Sequence, residues 1–361
     1  MKGTDPFTRT PGIAGKAYID NRVADEIIQD LSSTESAKYV YKITGLRGSG
    51  KSVEFGRIIR TLKAKKDWLV YPLSSSGEVV STLISKLSRE EFIDAKVSTF
   101  SEASETSVSG NILAVSGNET IKVQKTIADN QMYYSEEATL TEMVSLANKK
   151  NYKVLVGIDD ISKTPETIRL LSMIGAMLLE GIQIYLVVTG LSENIEDFSS
   201  ESNLTFFKRA DEKEITVLNK FDIAYMYEKL LGVDSVEAKR METITNGYAY
   251  AYQVLGSLYF SKEKNETLED ILPGFERIMF KDSYELIWKT LTSGEKEVVR
   301  CIYKSKEGRA AEIKALMNNP SSYSVYRDRL INKHLVDGDV RGRLAIRLPF
   351  FEKYIEIWGD D

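Results

Sequence analysis

Residues 45–52 read GLRGSGKS, and this segment is the most informative one for the fold. It matches the pattern G-x-x-x-x-G-K-[ST], with the apolar run KYVYKIT before it and the helically spaced SVEFGRIIRTLKAKK after it. Glycines let the backbone curl until its N–H groups converge on one point, and the positive end of the following helix faces that point. The stretch therefore predicts a phosphate-binding loop; the alternative is a glycine-rich turn that fits by chance.

Two side chains at the end of this loop have predicted roles in holding a nucleotide. Lys51 reaches the β- and γ-phosphates, and the hydroxyl of Ser52 ligates Mg²⁺. Arg47 has two interpretations, contact with phosphate or contact with a partner. The complete predicted cofactor-binding set is Gly45, Leu46, Arg47, Gly48, Ser49, Gly50, Lys51, Ser52 and Val53.

Apolar runs alternate with helical patterns along the first part of the chain. KYVYKIT, DWLVYPL, KVLVGID (residues 153–159) and IQIYLVV (residues 182–188) have the near-continuous apolar content of strands that are buried on both faces. EKEITV, residues 212–217, is a fifth candidate strand. The alternation predicts an α/β fold built on a parallel sheet.

Polar residues at the ends of two of these strands are candidates for the chemistry. Asp159 would hold Mg²⁺ through water, and Asp160 would polarise the attacking water. Aspartate is one methylene shorter than glutamate, so we expect slow hydrolysis. Thr189 could orient the same water, and Arg209 could stabilise charge on the γ-phosphate, in cis or from a neighbouring subunit. The alternatives are a helix-capping acid pair, a strand that happens to end in threonine, and a surface arginine.

Composition excludes several other kinds of site. The chain has 361 residues with one cysteine and one histidine, which rules out an intrachain disulfide framework and zinc sites built from Cys and His. No apolar run approaches the length of a membrane span, and the opening MKGTDPFTRTPG has no apolar signal core. We therefore expect a soluble, cytoplasmic protein without a membrane partner.

Changes of pattern predict four regions. An N-terminal segment and helix (1–36) precede the phosphate-loop core (37–218), a helical unit (219–283) and a C-terminal domain (284–361). The last has three short amphipathic helices and then a strand–turn–strand, which indicates a winged helix-turn-helix. Within the core, residues of about 96–125 predict an inserted β-hairpin, or alternatively a polar loop without regular structure.

The C-terminal domain contains candidate residues for binding double-stranded DNA. Helical spacing places Tyr323, Tyr326 and Arg327 near one face with Leu330 inward. Arg341 and Arg343 would lie at the tip of the wing, where they could contact phosphates. The alternative is a domain that binds protein or packs against the core.

These motifs, in this order, resemble those of AAA+ ATPases. The likeness is nearest to archaeal replication initiators of the origin-recognition type, and STAND ATPases look similar. The resemblance implies ATP and Mg²⁺ as cofactors, Asp159 and Asp160 as the Walker B pair, Thr189 as sensor 1 and Arg209 as an arginine finger. The segment NGYAYAYQVLG (residues 246–256) lies where these families carry a sensor-2 arginine or a Gly-x-Pro turn, and it contains neither.

The leading hypothesis is an ATP-binding AAA+ ATPase that hydrolyses ATP slowly. Its nucleotide state would control DNA binding or assembly, with a homo-oligomer as a further expected partner. The alternative is a STAND-like signalling or defence scaffold, in which ATP is a structural ligand and the C-terminal domain and hairpin bind protein. A small-molecule phosphotransferase is disfavoured, since it leaves the helical unit and the C-terminal domain unexplained.

Overall fold

The computed structural model describes residues 3–33, 38–93, 136–338, 340 and 342–359. The hairpin expected at about 96–125, and Arg341 at the expected wing tip, lie outside the described residues. None of the helices in these ranges is long and apolar enough to span a bilayer.

A five-stranded parallel sheet forms the core of the first half, as the apolar runs predict. Its strands stand in the order β2-β3-β4-β1-β5. They are β1 (Val40–Thr44), β2 (Trp68–Leu73), β3 (Lys153–Ile158), β4 (Ile184–Thr189) and β5 (Asp211–Glu214). In register, Val40 pairs with Leu186 and Val154 with Ile184, so the carboxyl ends of β1, β4 and β3 are adjacent. Loops that follow these three strands therefore meet at one edge of the sheet.

Helices cover both faces of this sheet, which explains why its central strands are mostly apolar. One face shares a hydrophobic core with α1 (Val23–Ser32) and α2 (Lys51–Lys63). The other face shares a core with α3 (Val79–Leu87), α4 (Glu136–Lys149) and α5 (Pro165–Leu179). Two short helices, α6 (Ser192–Asp197) and α7 (Thr205–Lys208), connect β4 to β5.

Four helices follow β5, and they form the unit that is called the lid below. They are α8 (Lys220–Leu231), α9 (Ser235–Thr245), α10 (Ala249–Ser261) and α11 (Leu268–Met279). The amide side chain of Asn219 caps α8, and left-handed residues Gly232 and Asn246 end α8 and α9. A π-helical turn, Phe280–Tyr284, then continues α11 directly into α12 (Glu285–Thr290).

The C-terminal domain has the expected succession of three helices and a two-stranded ladder. Its elements are α13 (Ser293–Lys304), α14 (Ala310–Leu316), α15 (Tyr323–Asn332), β6 (Val336–Asp337), β7 (Ala345–Ile346) and α16 (Phe351–Trp358). The ladder is antiparallel. One hydrophobic core joins this domain to the lid, and Phe7, Ala17 and Ile19 from the start of the chain belong to it.

Candidate nucleotide-binding site

The glycine-rich stretch forms a loop between β1 and α2, as its pattern predicts. β1 ends at Thr44 and α2 begins at Lys51, with left-handed Gly50 at the helix start (φ 108°). Gly48 is also left-handed (φ 77°), and a Cβ there would lie 2.3 Å from the hydroxyl of Tyr248. Glycine is therefore needed at position 48 both for backbone conformation and for the close approach of the lid.

Lys51 is buried at the floor of this loop. Its Nζ donates to the carbonyl oxygens of Gly45 and Leu46, at 2.9 and 3.0 Å. Burial lowers the pKa of Lys51 to about 8, while the carboxylates of Asp160 and Asp159 act in the opposite direction. The ammonium thus lies in a pocket where a bound phosphate would favour its charged form.

The predicted acids and Thr189 meet beside the loop, at the ends of neighbouring strands. Thr189 Oγ1 donates to Asp159 Oδ1 at 2.5 Å and accepts from the backbone N–H of Asp160 at 2.8 Å. Asp160 has a left-handed backbone (φ 53°), a conformation that this hydrogen bond helps to fix. Thr189 therefore fixes the acid pair, a contact that the sequence pattern did not specify.

A cavity of about 400 Å³ opens between the loop, the acids and the lid. That volume lies in the range of cofactor pockets. Lys51, Ser52, Asp159, Asp160 and Thr189 all line it. Ser49 is a lining residue too, but its hydroxyl oxygen is buried on the side of Gly45 and has no hydrogen-bond partner among the described residues. The lining combines a lysine and a hydroxyl at the start of a helix with two carboxylates, and these groups fit a phosphate with its metal ion.

An N-terminal strap, defined as residues 5–21, closes one side of this cavity. Phe7 packs on the lid tyrosines Tyr227 and Tyr252. The backbone N–H of Thr8 donates to Gln253 of α10 at 2.9 Å. The sequence patterns indicated only an irregular start here; the one signal in the sequence was a phenylalanine in a segment that contains proline and glycine.

The strap is anchored to α2 by a buried acid one turn after the loop. Glu54 is 1% exposed. It accepts from Tyr18 Oη at 2.6 Å and from the backbone N–H of Ala24 at 3.0 Å. Arg57 lies 3.5 Å from the same carboxylate. Burial raises the pKa of Glu54, whereas these hydrogen bonds lower it. The strap is therefore held by the same helix that begins at the phosphate loop.

The lid contacts the phosphate loop through two tyrosines at the start of α10. Tyr248 Oη donates to the carbonyl oxygen of Arg47 at 2.7 Å, and the backbone N–H of Tyr250 donates to the carbonyl of Gly48 at 3.1 Å. In the described part of the chain, no lysine or arginine of the lid lines the cavity. This agrees with the missing sensor-2 arginine noted in the sequence.

Arg209 is not part of this chain's own cavity. It is exposed and precedes β5, so it lies at the amino edge of the sheet. The phosphate loop, in contrast, follows the carboxyl end of β1, which runs parallel to β5. Among the described residues that line the cavity, Arg209 does not occur. The cis role is therefore corrected, and a role from a neighbouring subunit stays a prediction.

The candidate DNA-binding residues are not all presented to solvent. Leu330 is buried as predicted, but Tyr323 is only 4% exposed and belongs to the domain core, which corrects its assignment to the surface. Tyr323 belongs to the hydrophobic core of the domain, and Lys314 of α14 lies 5.1 Å from the centre of its ring.

The three remaining described side chains of that set have partners within the domain. The ring of Tyr326 packs against Gly294, with the Arg329 guanidinium 5.8 Å from its centre. Arg327 pairs with Asp328 at 2.7 Å. Arg343 pairs with Glu307 at 3.0 Å. Both arginines stay partly exposed, so a DNA phosphate could compete for them; contact with DNA remains a prediction for these residues.

Comparison with one solved structure supports the fold, and two further solved structures align with the chain. The ORC2 protein of Aeropyrum pernix, solved as ADPNP–ADP complexes, aligns over 95% of this chain and 93% of its own, with 12% identity and a TM-score of 0.57. Cdc6p of Pyrobaculum aerophilum aligns over 97% of this chain and 99% of its own, with 14% identity and a TM-score of 0.46. The Aeropyrum pernix ORC1 protein, solved in complex with DNA, aligns over 95% of this chain and 94% of its own, with 12% identity and a TM-score of 0.43.

Sequence-based comparison adds one match. Residues 281–355 match a domain of unknown function, DUF8462. No curated protein matches the chain. At 12% identity the likeness to the ORC2 protein concerns the fold alone, and it covers nearly the full length of both chains. The chain therefore has an α/β phosphate-loop fold with a parallel five-stranded sheet. This is the fold that the resemblance to AAA+ ATPases of the archaeal origin-recognition type implies.

Proposed function

We propose that this protein binds ATP with Mg²⁺ in the cavity between core, strap and lid, and hydrolyses it slowly. The observation that carries the proposal is that the phosphate loop, Lys51 and the Asp159–Asp160 pair line one cavity. Backbone N–H groups and Lys51 would hold the phosphates, and the strap would cover the base and ribose. The alignment with a protein solved with ADPNP and ADP supports a nucleotide ligand.

The residues around the loop also fit a magnesium ion. Ser52 and Asp159 line the same cavity and offer the hard oxygen ligands that Mg²⁺ prefers. When bound, the ion would neutralise charge that develops on the phosphates. Asp160 would accept hydrogen bonds from the attacking water, while Thr189 keeps Asp159 and the Asp160 backbone in place.

Measurements of ATP binding and of phosphate release distinguish the roles of these residues. Lys51→Ala is expected to lose ATP binding and phosphate release together, because the loop then lacks its only buried cation among the described residues that line the cavity. Asp160→Asn is expected to bind ATP but to release phosphate at least 100-fold more slowly, as expected when a general base is removed. Lys63→Ala, at the exposed end of the same helix, is the control. Equal activity in all variants would contradict the proposal.

We further propose that nucleotide state controls association with double-stranded DNA or with another copy of the chain. The partly exposed Arg327 and Arg343 support this proposal. If each contacts one phosphate, Arg327→Ala and Arg343→Ala should each reduce the slope of log affinity against log salt by about one. Lys264→Ala, on an exposed turn of the lid, should leave the slope unchanged. A wild-type affinity that does not respond to salt would remove DNA from the proposal.

A non-catalytic scaffold is the second candidate, and a specific observation favours it. Arg327 and Arg343 are already paired with acids, and Tyr323 is buried, which suits a domain that binds protein better than one that binds DNA. In that case ATP would bind as a structural ligand. Absence of phosphate release by wild-type protein, with ATP binding retained, would select the scaffold.

A further inference from the structure

The hydroxyl of Tyr248 takes part in a directional chain of hydrogen bonds. It lies 2.7 Å from the carbonyl oxygen of Arg47 and 2.8 Å from Ser283 Oγ, and the tyrosine is 4% exposed. A carbonyl oxygen can only accept, so the single proton of Tyr248 points to Arg47. Ser283 must therefore donate to Tyr248. Burial raises the pKa of Tyr248, so the hydroxyl keeps its proton at neutral pH.

These hydrogen bonds fix the orientation of one peptide group of the phosphate loop. Peptides are planar, and none in the described residues is cis, so the N–H of Gly48 points opposite to the carbonyl of Arg47. With that carbonyl held by the lid, the Gly48 N–H faces away from Tyr248. The following carbonyl, of Gly48, is held by the N–H of Tyr250. Without these hydrogen bonds the peptide could rotate and turn its carbonyl oxygen toward a bound phosphate. The negatively charged phosphate would be repelled by that oxygen.

We propose that Tyr248 is a positioning residue for the phosphates of the nucleotide. Its hydroxyl keeps the peptide between Arg47 and Gly48 in the orientation that offers an N–H to a phosphate oxygen. The inference rests on the proposed nucleotide site. Because no lysine or arginine of the lid lines the described cavity, the lid acts on the phosphates through this peptide instead of through a cation.

The same hydroxyl connects the loop to the C-terminal domain. Ser283 belongs to the π-helical turn Phe280–Tyr284, between the lid and α12. The next residue, Tyr284, donates its buried hydroxyl to the carbonyl of Pro349, in the C-terminal domain. Two adjacent residues of one turn thus contact the phosphate loop and the C-terminal domain, and π-turns of this kind often occur at functional sites.

The test compares a ligand that has phosphates with one that lacks them. Tyr248→Phe should weaken binding of ADP about tenfold, the size expected for loss of one buried hydrogen bond, and leave binding of adenosine unchanged. Ser283→Ala keeps the bond to Arg47 and should weaken ADP binding about threefold. Tyr252→Phe is the matched control, because this buried lid hydroxyl has no hydrogen-bond partner in the described part of the chain.

The outcomes separate this inference from the function on which it rests. Equal loss of ADP and adenosine affinity in Tyr248→Phe, or no loss of either, overturns the positioning role while wild-type binding stands. If Tyr248→Phe does not fold, Ser283→Ala decides: unchanged ADP affinity overturns the proposal. Failure of the wild-type protein to bind ADP overturns the nucleotide site itself, and with it the role of Tyr248.

Discussion

The side chain of Lys51 is buried where its positive charge is disfavoured, and a phosphate bound at the proposed site would stabilise that charge. Burial lowers its pKa to about 8, from an ordinary value near 10.5. In the empty protein the amine therefore loses its proton as the pH rises through 8. A bound phosphate favours the ammonium, so binding above this pH requires uptake of a proton.

The affinity for ADP should fall as the pH rises. Between pH 7 and pH 9 the charged fraction of Lys51 drops from nearly complete to about one tenth, so we expect affinity to weaken about tenfold. Calorimetry at the two pH values measures the change. Lys51→Ala should bind weakly at both, without the pH dependence. An affinity that is constant in the wild-type protein would show that Lys51 stays charged throughout.

Two loop glycines provide a comparison between backbone strain and contact with the lid. Gly48 and Gly50 both have positive φ, but only at Gly48 would a Cβ meet Tyr248; at Gly50 nothing lies within 4 Å. Gly50→Ala should therefore cost about 1 kcal/mol in the free energy of unfolding. Gly48→Ala should cost about 1–3 kcal/mol more, because the lid must move. Urea unfolding measures both changes in the free energy of unfolding. Equal losses would contradict the close contact between Gly48 and Tyr248.

At the scale of elements, the N-terminal strap joins units that the sheet order alone would leave separate. Arg60 of α2 donates to the carbonyl of Gly12 at 2.7 Å, while Phe7 packs against Gly256 of α10. The strap therefore links the helix after the phosphate loop to the lid. Its conformation depends on these distant contacts, so local sequence could not reveal it.

Removal of the aromatic anchor should affect both stability and binding. Phe7→Ala deletes a ring that is 5% exposed, and we expect a loss of about 3 kcal/mol in the free energy of unfolding. ADP affinity should fall as well, since the strap lines the cavity. Phe221→Ala, at a phenylalanine that is 83% exposed, should change both by little. Unaltered ADP affinity in Phe7→Ala would mean that the strap does not contribute to binding.

At the scale of the whole molecule, the C-terminal domain docks on the core next to the phosphate loop. Lys333 lies 2.8 Å from Glu193 of α6 and 3.2 Å from the buried Glu295. His334 lies 2.9 Å from Glu214 at the end of β5. Burial lowers the pKa of His334, and Glu214 acts against this shift. Through these contacts, a movement of the lid or of the phosphate loop could alter the position of the C-terminal domain.

Loss of the docking cation should weaken the whole assembly. Lys333→Met removes the cation that pairs with Glu193 of the core and with the buried Glu295 of the same domain, and we expect the free energy of unfolding to fall by about 1–3 kcal/mol. Lys289→Met, in an exposed pair with Glu285, should change it by less than about 0.5 kcal/mol. Thermal unfolding of the two variants measures the difference. Equal effects would show that the domain does not depend on this contact.

Features that depend on neighbouring residues along the chain could be predicted from the amino-acid sequence. The phosphate loop, the strand–helix alternation, the acid pair after β3 and Thr189 after β4 follow from local patterns, because turn conformation and burial period are properties of short segments. Parallel strands then bring their carboxyl ends together, which is why the predicted site residues of these loops meet at one cavity.

The residues that complete the candidate site from distant parts of the chain are visible only in the folded protein. The strap, Tyr248 and the buried position of Tyr323 depend on packing between segments far apart in sequence. The position of Arg209 at the amino edge follows from strand direction within the sheet. A hydrogen bond such as that from Tyr248 to Arg47 joins residues 201 positions apart, so no local pattern encodes it; it exists because the lid closes on the loop.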